Sequence, residues 1–291
     1  MYEAFYGFRE RPFHVTADPA FIYPSHHHQE AMAHLAYGIQ QRLGFLMITG
    51  EVGTGKTTLA KALVEQLPAP TKTALILNPA LSASQLLRAI LRDFGGSQQN
   101  GQPKVGTMRG QLLEAIERLL LEQAEVGAAV VLVIDEAQAL STSALEHVRL
   151  LSNFETPKAK LLQIVLVGQQ ELDQRLASDP RLRALRQRIA IRYHIQPLNE
   201  QEVAAYIQHR IQIAGVKNEP RFTGEAIASI ARNSKGIPRR INRICDQALL
   251  AGFIRESYII DETMVKEAQN SISTEEMPHE AGLIKIGEKI G

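Results

Sequence analysis

The sequence predicts an α/β protein: a doubly wound parallel sheet followed by a small all-helical lid domain. Three observations predict it. Between residues 44 and 197, short apolar runs of strand length alternate with longer amphipathic runs of helical period, the pattern of successive βαβ units. The first of these runs leads straight into a glycine-rich loop that opens a helix. Residues 198–272 then carry helical periodicity with no clear strand.

The elements follow in chain order. Residues 1–43 are rich in aromatic, Pro and His residues and read as an N-terminal arm ending in a helix, with Ala31, Leu35, Ile39 and Leu43 spaced every fourth residue from Gln29 on. His26, His27 and His28 read as a loop ahead of that helix, and consecutive positions cannot put three imidazoles on one helix face, so a metal site is not expected. Strands are expected at Phe45–Thr49, Thr73–Leu77, Val130–Ile134, Ile164–Val167 and Ile189–Ile195. The first four are nearly continuous in apolar residues, as for parallel strands covered on both faces. Helices are expected at Lys56–Leu67, Ser84–Asp93, Met108–Glu125, Ser143–Phe154 and Glu171–Ala177, with a mobile loop at Gly95–Gly106. The lid reads as four helices, Asn199–Ala214, Thr223–Asn233, Ile237–Arg255 and Asp261–Ile272, with Thr223 and Asp261 where N-caps belong. Residues 273–291 turn polar and uneven and read as a mobile tail.

Composition excludes several classes. Of 291 residues, 45% are hydrophobic and 22% charged, which suits a globular protein and rules out collagen-like or wholly disordered chains. Lys and Arg (32) nearly balance Asp and Glu (31), so whole-molecule attraction to nucleic acid or anionic lipid is not indicated. The single Cys245 excludes an internal disulfide framework. No run approaches the ~18 apolar residues of a membrane span, and the N-terminus lacks a signal-peptide layout. A cytoplasmic location is expected, with docking at the inner membrane left open.

The glycine-rich loop carries the chemistry. Gly50-Glu51-Val52-Gly53-Thr54-Gly55-Lys56-Thr57-Thr58 matches G-x-x-x-x-G-K-[ST], a phosphate loop, in the required strand–loop–helix context. Its glycines let several backbone N–H groups face one anion, and the helix start adds its positive end. Lys56 is placed for the β and γ phosphates of ATP, and the Thr57 hydroxyl for Mg²⁺. The strand Val130–Ile134 ends in Asp135 and Glu136 at the same sheet edge. Asp135 is placed to hold Mg²⁺ through water and Glu136 to orient or deprotonate an attacking water; taken alone, the pair would also suit a helix N-cap. Gln169, or its neighbour Gln170, brings a side-chain amide to that edge after the next strand. Arg239, in Gly236-Ile-Pro-Arg239-Arg240, could return to the nucleotide from the lid. In the basic run 181–188, Arg188 stands immediately before the last strand, placed to reach a neighbouring subunit's phosphates, with Arg186 second.

These blocks, in this order, resemble the AAA+ ATPases. The N-terminal stretch MYEAFYGFRERPF…YPSHHHQEAMAHLAYGI, with DEAQAL, LVGQQEL, LRQRI and GIPRRIN, looks like the ExeA/GspA family associated with general secretion and pilus assembly. The resemblance covers about residues 1–270 and implies the roles of Walker A for Gly50 to Thr58 and Walker B for Asp135 and Glu136. It further implies sensor 1 for Gln169, arginine finger for Arg188 and sensor 2 for Arg239. Gln169 departs from the Asn or Thr common at sensor 1. The chain resembles a short form without the membrane span or peptidoglycan-binding domain of full secretion members.

The expected function is ATP hydrolysis with Mg²⁺, the nucleotide lying between the α/β domain and the lid, driving or switching assembly of a secretion, pilus or exopolysaccharide system. Expected partners are further copies of the chain, sharing Arg188 across an interface, and a secretion or pilus membrane component. The alternative is a DNA-dependent regulator of transposition type, favoured by the arginines at 181–192 and by Arg239, Arg240 and Arg243, and disfavoured by the near-zero net charge. A nucleotide-binding scaffold without hydrolysis is disfavoured by Glu136.

Overall fold

The computed structural model describes residues 1–77, 79–95, 108–157, 159–215 and 219–276. The expected loop at 95–106 beyond Gly95, and the expected tail beyond residue 276, lie outside the described residues. The chain divides into two compact units: Thr16–Leu198 with Ile237–Arg239, and Met1–Val15 with Asn199–Gly236 and the residues from Arg240 on. The segment 1–43, expected as one arm, is therefore shared out between the two at Val15/Thr16.

In chain order the helices and strands are α1 (Tyr2–Tyr6), α2 (His26–Gln40), β1 (Phe45–Gly50), α3 (Lys56–Gln66), β2 (Thr71–Ile76), α4 (Ala83–Asp93), α5 (Arg109–Glu125), β3 (Ala129–Ile134) and α6 (Thr142–Leu151). There follow β4 (Glu155–Thr156), β5 (Ala159–Lys160), β6 (Leu162–Gly168), α7 (Gln170–Ser178), α8 (Arg183–Arg188) and β7 (Ile189–Ile195). The helical unit adds α9 (Glu200–Ile213), β8 (Arg221–Phe222), α10 (Gly224–Ser234), α11 (Pro238–Ile254), β9 (Ile259–Ile260) and α12 (Glu262–Glu276).

Five strands form a parallel sheet in the order β2-β3-β6-β1-β7. Successive side chains on a strand point to opposite faces, and the core divides accordingly. Phe45 and Met47 of β1, with Val130, Leu132 and Ile134 of β3, pack under α4, α5 and α6. Leu46 and Ile48, with Val131 and Val133, pack instead under α2 and α3. Apolar residues at consecutive positions are thus required by two helical layers, which is why these strands read as unbroken apolar runs.

Two expectations are corrected. His26, His27 and His28 are not a loop but the first turn of α2, because the Ser25 hydroxyl caps that helix by accepting the His28 N–H. The helical region also holds strands: β8 and β9 form a two-residue parallel pair, Arg221 opposite Ile259 and Phe222 opposite Ile260. The caps of its helices follow expectation, with Thr223 Oγ1 accepting from the Ala226 N–H at 3.2 Å and Asp261 Oδ1 from the Met264 N–H at 2.9 Å. Within that unit α1 is fixed by aromatic packing: Phe5 stacks on Tyr258 at 4.7 Å and lies edge-on to Phe253. Cys245 is fully buried in this unit's core, and burial pushes its thiol well up. Among the described residues no helix is long and apolar enough to cross a membrane.

Candidate active site

Strand order decides what meets at the carboxyl edge of the sheet. With β6 between β1 and β3, Thr49 pairs with Gly168 and Ile134 with Leu166. The loop after β1, the acids after β3 and the glutamine after β6 therefore emerge side by side, although they are scattered over more than a hundred residues of sequence.

The loop is built from its glycines. Gly53 and Gly55 take left-handed backbone, φ +87° and +92°, which side chains rarely adopt. A Cβ on Gly53 would also stand 2.6 Å from Cβ of Arg239, whose backbone N–H donates to Gly53 O at 3.2 Å. Gly50 ends β1 against Ile195 of β7, and Glu51 and Val52 form the exposed tip. The Thr54 hydroxyl donates to Glu51 O at 2.9 Å, closing the turn. Gly55 provides no side-chain cap for α3, so its first N–H groups are donors suited to an anion. Lys56 is buried, with Nζ donating to Gly50 O at 3.0 Å and Glu51 O at 2.7 Å. Burial holds its ammonium below the usual lysine range, against the pull of Glu136 and Asp135. A glycine cradle with converging backbone donors and one buried ammonium fits a polyphosphate.

The metal side fits equally. The Thr57 hydroxyl donates to Asp135 Oδ2 at 2.5 Å, bringing together two oxygen ligands of the kind a hard divalent cation takes. Thr58 follows on the same turn of α3. Asp135 is buried, and its Oδ1 accepts the Glu136 N–H at 2.9 Å. Burial pushes its carboxyl up, with the Thr57 hydroxyl pulling the other way. A carboxyl raised in the folded state destabilises the fold while ionised, and that penalty disappears as pH falls through the raised value toward the unfolded one. Asp135→Asn should therefore raise the melting temperature of the nucleotide-free, metal-free protein at neutral pH. The two proteins should converge at a pH of about 4. Thermal melts across pH check it; a destabilised variant at neutral pH would contradict it.

Glu136 stands in left-handed backbone, φ +51°. Its Oε2 accepts from Gln169 Nε2 at 3.1 Å and from Gln138 Nε2 at 2.5 Å. Gln169 rather than Gln170 is thus the glutamine the structure brings to the acids. Arg239 lies beside the loop through its backbone, with its side chain exposed. Arg188 is not brought to the site within its own chain: Nη1 donates to Ser152 Oγ and Asn153 Oδ1, both at 2.6 Å, at the end of α6.

Sequence reasoning missed three neighbours. His28 supports the loop from behind: Nε2 lies 3.0 Å from Thr54 O, and since a carbonyl only accepts, that nitrogen carries a proton. Ser25 Oγ holds its other nitrogen at 2.6 Å. The available signal was the Ser25 cap, which brings His28 into the first turn of α2. Gln138 bridges Glu136 to the backbone N–H of Gln169, just after β6. Arg175 donates to Leu140 O at 2.6 Å and Gln138 O at 3.3 Å, bracing the turn after the acids. No local pattern marks these last two.

A nucleotide cradle at the carboxyl edge of this sheet defines a P-loop protein of the AAA class, and the comparisons agree. Residues 39–176 match the family model described as an AAA domain. The chain is similar to General secretion pathway protein A of Aeromonas hydrophila, 47% identical over 260 residues, or 89% of this chain. The chain spans 46% of that relative's length. Among solved structures, Drosophila ORC bound to DNA superposes with a TM-score of 0.65 at 20% identity, over 90% of this chain and 64% of that one. The Aeropyrum pernix ORC2 protein, in ADPNP–ADP complexes, gives 0.61 at 17% identity, over 84% and 66%. At such identities these two speak to the fold alone.

Proposed function

We propose that the protein binds ATP with Mg²⁺ and hydrolyses it, and that turnover drives or switches the assembly of a secretion-type system. One observation carries the reading: a phosphate loop, an oxygen pair suited to Mg²⁺ and an oriented carboxylate meet at one sheet edge. The N–H groups of residues 53–58 and Lys56 hold the phosphates, and Thr57 and Asp135 hold the cation. Bound Mg²⁺ supplies charge neutralisation at the phosphates. Glu136 takes the proton of the attacking water and Gln169 holds that carboxylate in place. Arg239 contacts the nucleotide, and Arg188 acts on the phosphates of a neighbouring copy, so the working form is a homo-oligomer. The relative's name supports the secretion role, with a membrane component of that system as partner.

The DNA-dependent alternative gains no specific support. Three arginines of the 181–192 run are engaged: Arg181 pairs with Asp179 at 2.9 Å, Arg192 with Asp173 at 3.1 Å, and Arg188 with the end of α6. Phosphate release from ATP, measured with and without double-stranded DNA over a salt series, tests both readings. Mg²⁺-dependent turnover indifferent to DNA is expected. Stimulation that falls steeply with salt would favour the alternative, and absence of any turnover would refute hydrolysis.

A further inference from the structure

We infer that Gln138 is a positioning residue for Glu136: the Gln169 backbone just after β6 locks its side-chain amide in one orientation, so that it offers the carboxylate a donor and never an acceptor. The inference rests on the reading of Glu136 as the group that activates water.

The orientation is fixed by chemistry. The Gln169 backbone N–H lies 3.0 Å from Gln138 Oε1. A backbone N–H only donates, so this end of the amide is the oxygen. Nε2 is then the end that faces Glu136 Oε2. Room for this contact comes from Gly168, where a Cβ would stand 3.0 Å from Gln138 Oε1 and 2.9 Å from Leu172 Cδ2. Arg175 holds the chain on the far side, through the carbonyls of Gln138 and Leu140 and through Thr142 Oγ1 at 2.9 Å.

The consequence is a carboxylate held on one side. Gln138 and Gln169 both donate to Oε2, while Oε1 of Glu136 carries no hydrogen bond among the described residues. Two donors on one oxygen hold the carboxylate in one orientation and leave the other oxygen available to accept a proton. Gln169 alone would fix one torsion. Gln138 adds a second anchor and ties the position of Glu136 to the end of β6. Glu136 occupies a backbone region costly for a side-chain-bearing residue, and such a residue persists only where its surroundings over-determine it.

The test compares the wild type with Gln138→Ala, Gln138→Glu and Glu136→Gln in phosphate release, binding of a fluorescent ATP analogue and thermal melting. Both Gln138 variants should lower kcat about 10- to 100-fold, with analogue affinity and melting temperature close to wild type. Glu at 138 has the same shape and still accepts the Gln169 N–H, but places an acceptor against Glu136. It should lose at least as much activity as Ala, whereas a purely structural role would rank Glu above Ala. Wild-type kcat in Gln138→Glu, or losses tracking the melting temperature or the affinity, would overturn the inference. If Gln138→Ala fails to fold, Gln138→Glu decides. An inactive wild type, or an active Glu136→Gln, removes the underlying reading and this inference with it. An active wild type, an inactive Glu136→Gln and an unaffected Gln138→Glu remove this inference alone.

Discussion

Replacing Glu136 by Gln should stop turnover while leaving ATP bound, with kcat falling about 10²- to 10⁴-fold, the range for loss of a positioned general base. Glutamine matches glutamate in shape, and its carbonyl can accept one of the amide donors now on Oε2. What it lacks is a site able to take a proton at neutral pH. The groups proposed to hold phosphate, Lys56 and the glycine loop, make no hydrogen bond to Glu136 among the described residues, so affinity should stay within a few-fold of wild type. Single-turnover phosphate release and equilibrium binding of an ATP analogue separate the two effects. Retained release would remove Glu136 from the chemistry. Lost binding would mean that its carboxylate shapes the cradle instead.

Arg188→Ala should cost about 10³-fold or more in turnover, and only under conditions where the chain assembles with copies of itself. Within one chain the arginine stands at the wrong end of the sheet. Ile189, next to it, pairs with Phe45 at the start of β1, whereas the phosphate loop begins after Gly50. Five strand steps at ~3.3 Å put roughly 17 Å between the two ends. An arginine that acts on phosphate from there must serve another copy. Mixing gives the sharpest check: Arg188→Ala keeps the loop, Lys56→Ala keeps the arginine, and neither should turn over alone. Partial recovery in the mixture is expected. Full activity of Arg188→Ala at concentrations where the protein is monomeric would end the idea. Melting curves guard against a trivial cause, because the guanidinium also holds Ser152 and Asn153 at the end of α6.

Legibility in the sequence followed the range of the interactions. The phosphate loop was readable because glycine, lysine and threonine act at fixed short spacing. Strands β1, β3 and β6 were readable because burial on both faces demands unbroken apolar runs. The order β2-β3-β6-β1-β7 was not, since it depends on pairings between residues roughly 30 to 145 positions apart. Gln138 was opaque for a related reason: its meaning arises only when β6 brings Gly168 and Gln169 against it, thirty-one residues later. The β8–β9 pair was too short to leave a periodic trace. His26–His28 were a different failure. The apolar stripe of α2 begins only at Ala31, so periodicity alone starts the helix later than its Ser25 cap does.

The burial of Cys245 has a consequence for chemistry the protein does not perform. A thiol sealed in a helical core and kept protonated there is a poor nucleophile toward oxidants, alkylating agents and disulfides. With no other cysteine in the sequence, the folded chain is insulated from the redox state of its surroundings. A single cysteine introduced on the surface would be its one addressable thiol. Two cysteines introduced instead, one on each unit, would carry a pair of probes that report on turnover with the native Cys245 left in place.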